Sequence, residues 1–419
     1  MKLQIRNVAK LQSADIDIAG ITVIAGENDT GKSTVGKVLY SVLGSLRKLR
    51  ERAQKDRFRS ITRFIGQACL EMANLPDERS QGLEAIADKI GNNREIYISN
   101  KTKLKNDIKD WFYGQGFDLS AELADSIVNN VYSVLRLSDE DYKKTILDRK
   151  LNTEFNRQVN NIFQNGSADI YLENGTQQAK AIVTNNSVEE FESNFEYKPQ
   201  LIYIDNPFAL DEANSSDYIY TKRLTNHKEE LIQQLSLKSR NSNVFEELVL
   251  SNNMECIQNK LDSVCQGEVV RDNKYDWQYR IKGNRKSLNV NSLSAGLKTF
   301  VILKQLIMSG TLTRGSCVIL DEPEIHLHPE WQLVLAELIV LLYKEFDLDI
   351  LMNTHSPYFL NAVEVYSAKH GVADVCRYYL SRNEGSASVI ENVTDNIEMI
   401  YKRLARPLQV LEDESYDNA

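Results

Sequence analysis

The chain has 419 residues, 42% hydrophobic and 26% charged, a composition that suits a globular protein long enough to bury a full core. No run of about 18 apolar residues occurs, so no segment reads as a membrane span. The net charge of −9 offers no surface-wide attraction to nucleic acid, and five scattered cysteines without a CxxC pair argue against a zinc ribbon or a disulfide framework.

The N-terminus alternates like a strand and lacks the apolar core of a secretory signal, so the cytoplasm is the expected compartment. KLQIRNV, SADIDIA and ITVIAG read as three short strands, the third nearly continuously apolar as in a buried strand. It runs directly into Gly26-Glu27-Asn28-Asp29-Thr30-Gly31-Lys32-Ser33, with Thr34 following. This is a complete P-loop in its strand–loop–helix setting. Gly26 and Gly31 permit the tight turn that aims backbone N–H groups at phosphates, and the following helix adds its positive N-terminal end. Lys32 is suited to the β- and γ-phosphates of ATP and the Ser33 hydroxyl to Mg²⁺. Past Lys32, Val35, Val38, Leu39, Val42, Leu43 and Leu46 form one apolar stripe on a helix expected to continue to about residue 55.

Between Arg47 and Arg63 eight basic residues stand against Glu51 and Asp56. Such a cluster suits either a solvated helix face or a phosphate-backbone contact surface for DNA or RNA. Residues 58–165 read mostly as polar helix. A hairpin follows, ADIYLEN and TQQAKAIVT around Asn174-Gly175, a dipeptide that accepts a type I′ turn. QLIYI (200–204) is a buried strand closed by Asp205-Asn-Pro-Phe, and a second helical stretch covers about 209–264. WQYRI (277–281) and SLNV (287–290) alternate as strands ahead of a helix starting near Ser294, for which Ser294 is a natural N-cap. Strand CVIL (317–320), helix 331–346 and strand DILMNT (349–354) follow, and the tail from Glu412 is acidic.

Two acids close the CVIL strand. Asp321 is suited to support Mg²⁺ as a Walker B carboxylate, and Glu322 to accept a proton from an attacking water or to orient it. His355, at the end of the next apolar strand, could hydrogen-bond the γ-phosphate or that water. Glu324, His326 and His328 allow a metal cluster as an alternative, although no further His or Cys lies near them in sequence.

The order P-loop, long insertion, LSxG-type signature, Walker B with a following Glu, then His resembles ABC-type ATPase heads of the SMC and RecF branch. LDEPEIHLHPEWQ and NTHSPYFL look closest to the ATPase domains of overcoming-lysogenization nucleases. The resemblance implies an α/β fold, an ABC-type ATPase head with a P-loop sheet, an antiparallel β subdomain and a large helical insertion. The core would comprise 1–45 and 200–419, and the insertion 46–199. Ser294, Ala295 and Gly296 would act in trans, capping the γ-phosphate held by a second copy in a head-to-tail homodimer or higher homo-oligomer. Ala295 and Leu297 depart from the LSGGQ pattern, yet the Ser hydroxyl and the helix N-terminus remain. Glu324 to Pro329 would form the D-loop at that interface, and a Q-loop residue is expected between Gln200 and Asn206.

The chain after Asn361 is too short for the TOPRIM nuclease domain of that group and carries no DxD motif. Heads of this wording without TOPRIM occur in anti-phage systems such as Septu and PARIS. The expected function is therefore an ATP-hydrolysing sensor or scaffold that controls a separate nuclease or toxin effector. A RecF-like repair ATPase clamping duplex DNA is the alternative, and a transporter subunit a third.

Overall fold

The computed structural model describes residues 1–72, 80–213, 226–236, 254–271, 277–281, 283, 286–407, 410–411 and 414. The acidic tail from Glu412 lies outside the described residues except for Glu414, as do parts of the helical stretch 209–264. The chain divides into two compact units, Met1–Arg47 with Leu147–Ala419, and Lys48–Ile146.

The first unit is built on an 11-stranded sheet in the order β6-β5-β4-β1-β2-β14-β13-β3-β12-β11-β7. Its strands are β1 (Lys2–Val8), β2 (Leu11–Asp17), β3 (Ile21–Gly26), β4 (Ala168–Asn174), β5 (Gln177–Thr184), β6 (Ser187–Ser193), β7 (Leu201–Ile204), β11 (Cys317–Asp321), β12 (Asp349–Thr354), β13 (Cys376–Glu384) and β14 (Ala387–Asn392). A separate antiparallel sheet holds β8 (Gly267–Arg271), β9 (Trp277–Ile281) and β10 (Ser287–Asn289). From β13 to β7 the large sheet is parallel, and from β6 to β2 it is antiparallel.

Strands β3, β7, β11 and β12 are largely apolar because both faces are covered. Ile202, Ile204, Val318, Leu320, Ile350 and Met352 enter one core, while Leu201, Tyr203, Cys317, Ile319 and Leu351 enter the other. This is the period-two alternation of a strand buried on both sides. Helix α1 (Lys32–Leu46) covers the second face with its stripe of Val35, Val38, Leu39, Val42 and Leu43.

Helix α1 stops at Leu46 rather than running on to residue 55. Arg47 turns to an extended ψ of 120° and Lys48 takes a φ of +50° before α2 (Leu49–Met72) begins. The break is anchored by Arg47, whose guanidinium donates to Gln200 Oε1 and Glu230 Oε1, each at 2.7 Å.

The second unit contains α2, α3 (Ser80–Asn92), α4 (Arg94–Ser99), α5 (Lys101–Gly114), α6 (Ala121–Arg136) and the start of α7 (Asp139–Glu154). Ile61 and Ile65, Ile86 and Ile90, Leu104, Ile108 and Phe112, and Ile127 and Val131 recur every four residues and fill its own core. Within the stretch 46–199, expected as a mostly helical insertion with a hairpin near 168–184, residues Lys48–Ile146 form the compact helical unit. The hairpin strands join the large sheet through pairing of β4 with β1.

The hairpin turn differs from the one expected. Asn174 still pairs with Gln177, so the loop is Gly175-Thr176, and Gly175 alone has a positive φ of 59°, the pattern of type II′ rather than I′. A turn with both φ values positive joins β5 to β6 instead, at Asn185 (51°) and Asn186 (64°).

Candidate functional site

The C-terminal ends of β3, β11 and β12 meet beside the N-terminus of α1, the edge of a parallel sheet where ligands bind in open α/β folds. Gly26 ends β3 with no room for a side chain, since a Cβ there would lie 2.3 Å from the Ser381 carbonyl oxygen. Glu27 pairs with Arg403, whose Nη2 donates to Oε2 at 3.1 Å. Asn28 and Asp29 are exposed. Asp29 has a φ of 59° and accepts from Lys10 Nζ at 2.6 Å. Thr30 is buried, with its hydroxyl donating to Glu27 O and its carbonyl accepting from Ser381 Oγ. Gly31 is the N-cap of α1 in the left-handed region, φ 83°, a conformation that glycine adopts without a Cβ penalty. Thr34 is buried, and its N–H donates to Gly31 O at 3.1 Å.

Lys32 is buried at the mouth of the loop. Its ammonium donates to Gly26 O at 3.0 Å and Glu27 O at 2.7 Å and lies 3.8 Å from Glu322 Oε1. Burial lowers its pKa from the ordinary lysine value, against the opposing pull of Glu322, Asp321, Glu324 and Glu27. Next to it, the Ser33 hydroxyl donates to Asp321 Oδ1 at 3.1 Å. Asn353 Nδ2 donates to the same oxygen at 2.9 Å, and the Tyr203 hydroxyl to Oδ2 at 3.1 Å. Asp321 is thus held from three sides.

Glu322 stands at a φ of 50°, unusual for a non-glycine residue, and its N–H donates to Asn353 O at 3.0 Å. This turn aims its carboxylate toward the loop, with Oε1 3.3 Å from His355 Nδ1. Lys32, Ser33, Asp321, Glu322 and His355 therefore converge at one edge of the parallel sheet.

Glu324 points inward. It is 2% exposed, burial raises its pKa, and Oε1 accepts from the Thr354 hydroxyl. Thr354 Oγ1 accepts in turn from Ser356 N at 3.0 Å, which pins the loop carrying His355. His326 lies edge-on to Phe208, and His328 caps helix 329–346 by accepting from Glu330 N, so the three members of the alternative metal cluster have separate partners.

The signature residues start a helix as expected. Ser294 is the N-cap of Ala295–Met308, exposed, with Oγ accepting from Leu297 N at 3.4 Å. Ala295 is half-buried, and Gly296 packs against the D-loop, where a Cβ would lie 2.8 Å from His326 O. These three residues are not joined to the P-loop of their own chain by any hydrogen bond among the described residues.

Of the Q-loop stretch, Gln200 lies at the start of β7, where its carbonyl accepts from Cys317 N. The register pairs Leu201 with Cys317 and Ile204 with Leu320, which sets Asp205 and Asn206 at the Asp321 end. Asp205 faces His227, and Asn206 Oδ1 accepts from Phe208 N, so no glutamine occupies that place. In the basic cluster, Arg47 pairs with Glu230, Arg57 with Asp139 and Arg59 with Asp56.

Sequence reasoning missed Tyr203, Asn353 and Ser381. Tyr203 had one available signal, a hydroxyl-bearing ring in an otherwise aliphatic strand. Ser381 had none, because nothing local shows that β13 lies beside β3.

The donor set fits a Mg²⁺-nucleotide. A hydroxyl and a carboxylate converge within 3.1 Å beside a buried ammonium and a helix N-terminus. Among the described residues, no helix is long and apolar enough to cross a membrane.

No curated protein matches the chain. Among solved structures it is similar to an SMC head domain from Thermotoga maritima, with 12% identity, 94% of this chain and 98% of that one covered, and a TM-score of 0.40. It is also similar to an SmcHead bound to the C-winged helix domain of ScpA, at 11% identity, 95% and 98% coverage and a TM-score of 0.43. A third is an Smc head domain with an extended coiled coil bound to the C-terminal domain of ScpA derived from Pyrococcus furiosus, at 10% identity, 99% and 98% coverage and a TM-score of 0.42. Residues 1–360 match the family described as AAA ATPase domain, to which this P-loop chain belongs.

Proposed function

We propose that the chain binds and hydrolyses ATP as an ATP-gated homodimer, and that it serves as the sensor or scaffold subunit of an anti-phage system controlling a separate nuclease or toxin. The convergence of Lys32, Ser33, Asp321, Glu322 and His355 supports the chemistry. The resemblance of LDEPEIHLHPEWQ and NTHSPYFL to overcoming-lysogenization ATPase segments supports the biological role.

The loop N–H groups and the N-terminus of α1 would cradle the phosphates, and Lys32 would offset their charge. Ser33 and Asp321 would hold Mg²⁺, which when bound neutralises charge on the β- and γ-phosphates. Glu322 would accept the proton of the water that attacks the γ-phosphorus as the bond to the β–γ bridging oxygen breaks, leaving ADP and phosphate. His355, 3.3 Å from Glu322 Oε1, would steady that carboxylate and the water. The exposed Ser294 hydroxyl and its helix N-terminus would cap the γ-phosphate of a second copy.

Glu322→Gln keeps the shape and removes the base. It is expected to retain nucleotide binding, to lose roughly 10²- to 10⁴-fold in phosphate release, and to accumulate as a dimer in light scattering. Wild-type turnover in this variant would refute the role given to Glu322. Co-purification from the native operon tests the effector: a stoichiometric nuclease or toxin is expected, and a chain recovered only with itself would count against effector control.

A further inference from the structure

Asp321 presents both carboxylate oxygens to donors, and the donors differ in kind. Ser33 and Asn353 reach Oδ1 from the P-loop helix and from β12, both adjoining the proposed nucleotide site. Oδ2 is reached by Tyr203, from the neighbouring strand β7 and from beneath. We infer that Tyr203 is a positioning residue that orients Asp321 to hold Mg²⁺, and that His227 braces it; the inference rests on the reading of Asp321 given above.

Four observations carry it. The alternation of β7 sends Tyr203, 2% exposed, to the α1 face, the same face as Asp321. Its ring stacks on His227 with centroids 4.3 Å apart and planes at 26°, while Tyr40 meets it edge-on at 6.1 Å. His227 cannot swing. Its Nδ1 is 2.6 Å from Glu154 Oε2, its Nε2 is 2.9 Å from Asp205 Oδ2, and its backbone N–H donates to Glu154 Oε1 at 2.9 Å. Finally, Gly36 leaves room for the phenol, since a Cβ there would lie 3.0 Å from the Tyr203 hydroxyl oxygen.

A neutral donor on Oδ2 fixes the carboxylate without neutralising it. Its charge stays available to a cation, whereas an ammonium in the same place would compete. Hydrogen-bond partners of ligating carboxylates change metal affinity by about 10–100-fold when removed.

The test follows a fluorescent ATP analogue bound to the full chain while MgCl₂ is titrated. In Tyr203→Phe the Mg²⁺ midpoint should rise about tenfold, while analogue binding in EDTA and the melting temperature stay close to wild type. A structural role alone would lower the melting temperature and leave the Mg²⁺ midpoint in place, and that result overturns the inference. Asp321→Asn runs in parallel. If it also leaves the Mg²⁺ midpoint unmoved, the assignment of Asp321 fails; if it shifts the midpoint and Y203F does not, only the role of Tyr203 fails. Should Y203F lose its melting transition, Gly36→Ala, which crowds the same hydroxyl from α1, enters the same titration, and an unmoved midpoint there refutes the inference.

Discussion

At the scale of single residues, His227 carries a strong electrostatic commitment outside the phosphate loop. Burial opposes charge on its ring, but the carboxylates of Asp205 and Glu154 on either side outweigh it and raise the pKa to about 9 from an ordinary 6.5. A pKa raised in the folded state stabilises the fold fully below pH 6.5, and that contribution disappears as pH climbs through about 9. The shift corresponds to roughly 3 kcal/mol. Urea midpoints at pH 6, 7.5 and 9.5 should therefore fall steadily in the wild type and lose that slope in His227→Gln. A flat wild-type series would show that the ring is not charged in the fold.

At the scale of elements, Gly296 joins two segments that the sequence treats as separate motifs. A methyl group there would sit 2.8 Å from a backbone oxygen of the Glu324–His328 turn, so helix Ala295–Met308 or the turn must give way. Gly296→Ala should cost about 1–3 kcal/mol in urea denaturation, an overpacking penalty, and should weaken ATP-dependent dimerisation. Unchanged stability and dimerisation would mean that the contact is slack.

Which elements could be read in advance follows from where their signals lie. The P-loop, the Asp321-Glu322 pair and the strands at 201–204, 317–321 and 349–354 carry local marks, either glycines at fixed offsets or apolar runs closed by polar residues. The break at Lys48 had no such mark, because neither glycine nor proline signals it and Arg47 is held by Gln200 and Glu230 from far along the chain. Strands β8, β13 and β14 also went unread. CRYYLSRNE is polar enough to pass as surface, and only its pairing with β3 reveals it as interior. The same limit hid Tyr203, whose importance lies in a partner 118 positions away.

At the scale of the whole molecule, the proposed dimer would make each catalytic unit composite, with the P-loop of one copy and Ser294 of another. That arrangement predicts complementation. Lys32→Ala and Ser294→Ala should each be inactive alone, yet a mixture should regain phosphate release, because a mixed dimer keeps one site with both residues intact. A mixture as inactive as its components would place both residues in sites that a single chain completes.

The position of β13 beside β3 has a consequence for biosynthesis. Ser381 secures the carbonyl of Thr30 across 351 positions of chain, and Gly26 rests against the backbone of the same residue. A ribosome exposes the phosphate loop early, but its supporting flank emerges only after nearly all the sequence that separates them. Contacts so distant along the chain close late in folding. A chain cut short before Cys376 would thus display the P-loop without the flank that secures it, and is expected to hold a nucleotide more weakly.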